Sequence, residues 1–124
     1  MDASVRDGVS KIGLYDMKNH ATHILQLNDI PNNNVAEEYA VLHALLYIIK
    51  NGLENCHILS DNLQATNNKN ISSFCRENSV SISWIPREIN KVADSICKLS
   101  PTCKEKDWNI LKLFYSLVIN KKIL

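Results

Sequence analysis

The sequence predicts an α/β domain: a five-stranded mixed sheet flanked by helices, with an amphipathic helix appended at the C-terminal end. Three observations carry that prediction. Two strand-like segments near the start, Val9–Met17 and His20–Asn28, flank the turn signal Lys18-Asn19 and read as an antiparallel hairpin. Beyond them, helical patterns alternate with short apolar runs, the order expected of a sheet covered by helices. Between the two regions lies Asn32–Asp61, which runs from a polar turn through a buried helix and a helix stop into a short apolar strand.

Taken in order, Asp2-Ala3-Ser4-Val5 is an extended start closed by the turn Arg6-Asp7-Gly8, and the hairpin follows. Pro31 and three asparagines mark a loop. Asn34 is a suitable N-cap, and Glu37 three residues later completes a capping box. From Val35 to Ile49 the helix is apolar almost all round, so it should lie against a sheet. Asn51-Gly52 stops it, because glycine accepts the left-handed conformation. Cys56–Leu59 is strand-like and leads to Ser60-Asp61.

Asn62–Asn78 is polar and predicts one or two short helices anchored by Ile71, Phe74 and Cys75. Val80–Ile85 alternates as a strand does and Pro86 ends it. Arg87–Ser100 reads as a helix burying Ile89, Val92/Ala93, Ile96 and Leu99, with Pro101 as its stop. Glu105–Val118 reads as a last amphipathic helix, with Trp108, Leu111, Phe114/Tyr115 and Val118 on one side. The division expected is a main domain over residues 1–100 and a helical extension over 101–124.

Composition narrows the class. At 124 residues, 45% apolar and 22% charged, the chain suits one globular domain rather than disorder. Val41–Ile49 is too short to span a bilayer. The charged opening offers no signal peptide, and four cysteines without a CxxC pair predict reduced thiols in a cytoplasmic setting. Residues 1–97 hold eight Lys/Arg against eleven Asp/Glu, a net −3. Residues 98–124 hold six Lys against two acids, a net +4, compatible with nucleic-acid contact through Lys104, Lys106, Lys112, Lys121 and Lys122.

Four acids stand at element starts or ends: Asp2, Glu37, Asp61 and Asp94. Gathered acids repel one another, and a hard divalent cation such as Mg²⁺ or Mn²⁺ is the usual reason to tolerate them. Each acid also has a plainer reading. Glu37 belongs to the capping box, Asp61 caps the polar segment after it, Asp94 is a solvated acid near a helix start, and Asp2 is merely terminal. Glu37 is preferred over Glu38 because it leads the small-residue register Ala40/Ala44. His20-x-x-His23 is no metal pair, since on a strand the two side chains point to opposite faces. His43 and His57 read as core or edge histidines, and Trp84, like the aromatic stripe of the last helix, as core rather than a base-stacking platform.

The chain resembles the ribonuclease H family. The matching residues are Asp2-Ala3-Ser4, Asn34-Val35-Ala36-Glu37 with Ala40 and Ala44-Leu45 behind it, Ile58-Leu59-Ser60-Asp61, and Trp84-Ile85-Pro86-Arg87-Glu88-Ile89-Asn90-Lys91-Val92-Ala93-Asp94. The resemblance covers residues 2–100. It implies a ribonuclease H-like fold and two-metal endonuclease activity on the RNA strand of RNA–DNA hybrids. Asp2 would bridge two Mg²⁺ ions, Glu37 and Asp61 would bind one, and Asp94 the other. Asn33, Asn34, Asn90 and Arg87 would contact substrate, with 2′-hydroxyls distinguishing RNA from DNA.

Three departures from the family pattern support a different expectation, one being that the stretch between Asp61 and Asp94 is short and lacks the basic insertion of some relatives. Only Met1 precedes Asp2, where the family's first strand runs several residues earlier, and the glycine-rich loop is reduced to Val5–Val9. The alternative is a catalytically degenerate module that binds nucleic acid or a protein partner. A structure-specific DNA nuclease on the same fold would share the metal chemistry.

Overall fold

The computed structural model describes residues 2–6, 9–96, 99, 101–103 and 105–119, with main chain alone for residues 2–6, 94, 96 and 105. The expected turn residues Asp7 and Gly8 therefore lie outside the described residues, as do Lys104, Lys121, Lys122 and the end of the Arg87–Ser100 helix. The architecture is mixed α/β.

Strands β1 (Asp2–Arg6), β2 (Val9–Asp16) and β3 (Ala21–Leu27) form an antiparallel meander in the order β1-β2-β3. The register runs from Asp2↔Gly13 to Arg6↔Val9 on one side of β2 and from Ser10↔Leu27 to Asp16↔Ala21 on the other. Tight turn chemistry holds the hairpin: Asp16 Oδ1 accepts the main-chain N–H groups of Lys18 and Asn19 at 3.1 and 3.2 Å. The outer edge of β3 is fastened by Thr102, whose hydroxyl accepts the Ile24 N–H at 2.8 Å while its own N–H donates to Ile24 O at 2.9 Å. Such cover protects an edge from unwanted pairing.

Helix α1 (Asn33–Lys50) packs on β1, β2 and β4 (His57–Ser60). Val41, Leu42 and Leu45 are fully buried, and each such side chain contributes about 1.5–3 kcal/mol. The helix ends as its sequence dictates. Gly52 takes φ +61°, its N–H reaches Ile49 O at 3.2 Å, and Leu53 N–H reaches Ile48 O at 3.0 Å, a Schellman closure. Its start differs from expectation. The N-cap is Asn32, whose side chain accepts the Val35 N–H at 3.0 Å, so Asn34 lies inside the helix and no capping box forms with Glu37.

Short helices α2 (Leu63–Thr66) and α3 (Lys69–Glu77) follow, each N-capped by an asparagine, with Ile71 and Cys75 buried as anchors. Strand β5 (Ser81–Trp84) pairs parallel with β4. Five strands are therefore present among the described residues, but as a three-stranded and a two-stranded sheet rather than one five-stranded sheet. Among the described residues β1 pairs with β2 from Asp2↔Gly13 to Arg6↔Val9, and β4 pairs with β5.

Helix α4 (Lys91–Ile96) packs on β2 and β1 and is shorter than expected, since Arg87–Ile89 is a turn after Pro86. Its predicted apolar stripe is mostly not buried. Ala93 is, whereas Ile89, Val92 and Leu99 are exposed at 70%, 53% and 55%, and the Ile96 side chain is outside the described set. Helix α5 (Glu105–Val118) packs on α1, α3 and β3, with Trp108, Leu111 and Val118 joining the same core. Tyr39 stacks on Tyr115 at 4.2 Å and meets Trp108 edge-on at 5.1 Å. Among the described residues no helix is long and apolar enough to cross a membrane, and Cys56, Cys75 and Cys103 are free thiols.

Candidate functional site

Glu37 is buried at 1% exposure on α1, and Ala36 and Ala40 beside it are also buried. With the helix starting at Asn33, it occupies the second turn rather than the first. Its neighbour Glu38 is committed elsewhere. Glu38 accepts the Asn68 amide at 3.0 Å and the Tyr115 hydroxyl at 3.3 Å, joining α1 to the α3 start and to α5. Desolvation raises the Glu38 carboxyl above its ordinary value, against the lowering effect of those two hydrogen bonds. The two adjacent acids thus differ in their surroundings: Glu38 ties helices together, and Glu37 is fully buried.

Asp61 follows the last residue of β4. The ladder continues one step past the strand ends, where Ile85 N–H donates to Ser60 O at 2.8 Å. Trp84 Nε1–H donates to Asp61 O at 3.0 Å. Asp61 does not cap α2; Asn62 does, accepting the Ala65 N–H at 2.8 Å. The Asp61 side chain is 4% exposed, and its Oδ2 lies 3.8 Å from Arg87 Nε. That oxygen accepts no hydrogen bond among the described residues. Buried carboxylate oxygens are ordinarily hydrogen-bonded, because leaving one without donors is costly.

The substrate candidates fall into two groups. Asn33 and Asn34 are exposed on the first turn of α1. Arg87 is 75% exposed above Asp61. Asn90 is buried, and its N–H donates to Arg87 O at 3.0 Å. It lies immediately before α4 rather than within it. Trp84, expected in the core, is 47% exposed.

The side chains of Asp2 and Asp94 lie outside the described residues, so these two acids are placed by main chain alone. Asp2 opens β1 opposite Gly13, and Asp94 lies in α4. Both α1 and α4 pack against β1, and α1 also packs against β4. The elements bearing the four acids therefore form one connected group. Among the described residues, no three His, Cys, Asp or Glu side chains gather as a metal site.

The histidines serve locally. His20 Nδ1 pairs with the Tyr15 hydroxyl at 2.9 Å, and His23 lies against the Tyr47 ring at 4.7 Å, so the two do not converge. His57 Nε2 meets Ser83 Oγ at 2.7 Å across the β4–β5 pair. Sequence reasoning missed the Trp84–Asp61 link. No local sequence signal marks it, since it follows from the parallel register that sets Ser60 opposite Trp84. The chain matches no protein-family model, no curated protein and no solved structure.

Proposed function

We propose that the chain is a ribonuclease H-type endonuclease that hydrolyses the RNA strand of RNA–DNA hybrids with the help of Mg²⁺ or Mn²⁺. The observation that carries the reading is Asp61: a carboxylate buried at a strand end, with one oxygen accepting no hydrogen bond among the described residues. Glu37, buried on the helix that packs on β1 and β4, supports it.

The donor set suits hard divalent cations, whose preferred ligands are carboxylate oxygens. Asp61 and Glu37, with Asp2 and Asp94, would hold the ions, which when bound supply an activated water and stabilise charge on the scissile phosphate. The remaining roles belong to the chain's own residues. Arg87 presents a guanidinium beside Asp61, suited to a phosphate oxygen and able to shield the acid from substrate charge. Asn33 and Asn34 offer exposed amides for a 2′-hydroxyl, and Asn90 fixes the turn from which Arg87 projects. The single five-stranded sheet of the ribonuclease H fold would require β1 and β4 to pair. A cytoplasmic setting is part of the same proposal and agrees with the free thiols.

The test is cleavage of a labelled RNA–DNA hybrid in Mg²⁺ and in Mn²⁺, with Asp61→Asn as control and duplex DNA and duplex RNA as competitors. Hybrid-selective cleavage that disappears in the variant is the expected result. Silence in both metals from folded protein would overturn the enzyme in favour of a non-catalytic binding module.

A further inference from the structure

We propose that Trp84 and Arg87 form a subsite for an unpaired nucleotide, so that the chain prefers hybrids whose RNA strand runs on beyond the duplex. The inference rests on the reading of Asp61 as part of a nuclease site and names the piece of substrate that lies beside it. One short segment, Trp84-Ile85-Pro86-Arg87, carries both side chains, and both meet Asp61. The Trp84 indole N–H donates to Asp61 O at 3.0 Å, and Arg87 Nε lies 3.8 Å from Asp61 Oδ2.

The ring supplies the first argument. Trp84 is 47% exposed, whereas Trp108 is buried in the core. A single exposed apolar side chain is ordinary, but this one is also held in place. The N–H is the only polar group of an indole, and Asp61 O occupies it. On the main chain, Ile85 N–H is fixed on Ser60 O at 2.8 Å, and Pro86 O accepts the Ile89 N–H at 3.0 Å. The exposed part of the ring is therefore an apolar, aromatic surface at a fixed position. Such a surface suits a flat, unsaturated partner and costs little entropy to order.

Charge narrows the partner further. The Arg87 side chain is 75% exposed and the Asp61 side chain 4%, so the guanidinium is the charge that an incoming ligand meets. A cationic partner for the ring would be repelled by it. An anionic ligand with a flat ring uses both groups, the ring against the indole and the anion against the guanidinium. A nucleotide is such a ligand. Its pairing state follows from geometry. Inside a duplex a base is covered on both faces by its neighbours, whereas an unpaired base leaves a face open for an aromatic side chain.

The test measures the anisotropy of labelled hybrids on the full chain at low salt in a chelator, where metal-dependent cleavage does not intervene. In one hybrid the RNA strand is extended at both ends by unpaired nucleotides. In a second the extensions are abasic and of equal length, which keeps the phosphates and removes the bases. The parent should bind the first at least about fivefold more tightly. Trp84→Ala should erase that ratio and Trp84→Phe should keep most of it, whereas Arg87→Ala should weaken both hybrids alike. The base-bearing extensions should also quench tryptophan emission in the parent and not in Trp84→Phe, since Trp108 is buried. Equal affinity of the parent for the two hybrids would overturn the subsite, and that comparison needs no variant to fold. A ratio that survives Trp84→Ala would overturn it as well. The nuclease reading stands or falls separately. Cleavage in Mg²⁺ without base-dependent binding keeps that reading and removes the subsite, and Trp84-dependent binding without cleavage does the reverse.

Discussion

The indole N–H of Trp84 donates to the main-chain carbonyl of Asp61 at 3.0 Å, which ties the end of β5 to the residue that leaves β4. With Ile85 N–H on Ser60 O, two successive hydrogen bonds fix the main chain on either side of the Asp61 Cα. The main chain that carries its carboxylate is consequently held at the strand end, with the Arg87 guanidinium 3.8 Å from Oδ2. Such rigidity is what a metal ligand needs and what a surface acid does without.

Metal binding should therefore register as stability. Mg²⁺ at ten times its Kd should raise Tm by roughly 5 °C, through preferential binding to the folded chain. Asp61→Asn should abolish that rise and lower hybrid cleavage by about 10²-fold or more. Without metal the variant should be at least as stable as the parent, because it removes a buried charge whose nearest cation is exposed. Thermal melts with and without Mg²⁺ read all of this. An equal Mg²⁺-induced rise in the variant would remove Asp61 from the metal site.

Adjacent acids on α1 should separate by phenotype. Glu37→Gln should eliminate cleavage and leave the fold intact. Glu38→Ala should leave the Tyr115 hydroxyl and the Asn68 amide without their acceptor, costing about 1–3 kcal/mol. Its cleavage below the melting range should persist. Urea unfolding and hybrid cleavage measured side by side on the two variants decide the assignment, and loss of activity from Glu38→Ala alone would reverse it.

Much of this arrangement was legible in the sequence because its signals were local. The Glu105–Val118 helix appears with those bounds, and Gly52 closes α1 as its position after an apolar helix predicts. Choices among neighbours were not legible. Asn32, Asn33 and Asn34 are equally good caps, and only the path of the chain out of Pro31 selects Asn32. Asp61 and Asn62 both suit a cap; Asn62 takes it, which leaves the carboxylate free of that duty. Ile89 and Val92 are exposed where a buried stripe was expected, because periodicity within one segment carries no information about what packs against it.

Acid should weaken the fold through His43. Burial pushes its imidazole down to about 4, with the nearby His23 acting in the same direction and Asp107 against it. Between the ordinary value of 6.5 and about 4, the unfolded chain binds a proton that the folded chain refuses. Stability from this group is thus full above 6.5 and falls as pH drops through that window, by up to about 1.4 kcal/mol per pH unit. Glu38, raised by desolvation, acts in the opposite sense near its own range but is common to parent and variant. His43→Gln should flatten the pH dependence of urea unfolding between pH 6.5 and 4, and an unchanged slope would contradict the assignment.

Basic residues of α5 should contribute to hybrid binding through charge alone. Truncating the tail is a poor test, since Thr102 fastens β3 and Trp108 and Leu111 are core. Neutralising exposed lysines is a cleaner one. Lys106 is exposed, and Lys112 lies over the Trp108 ring at 5.2 Å from its centroid. Replacing both with glutamine should lower hybrid affinity most at low salt. If each neutralises one phosphate, the log Kd against log salt dependence should become shallower by about 1.5–2, because each contact releases nearly one counterion. Part of any stability loss at Lys112 would come from its contact with Trp108, about 0.5–1 kcal/mol at an exposed site. Binding is therefore measured by anisotropy well below the melting range, and an unchanged salt slope would remove α5 from the binding surface.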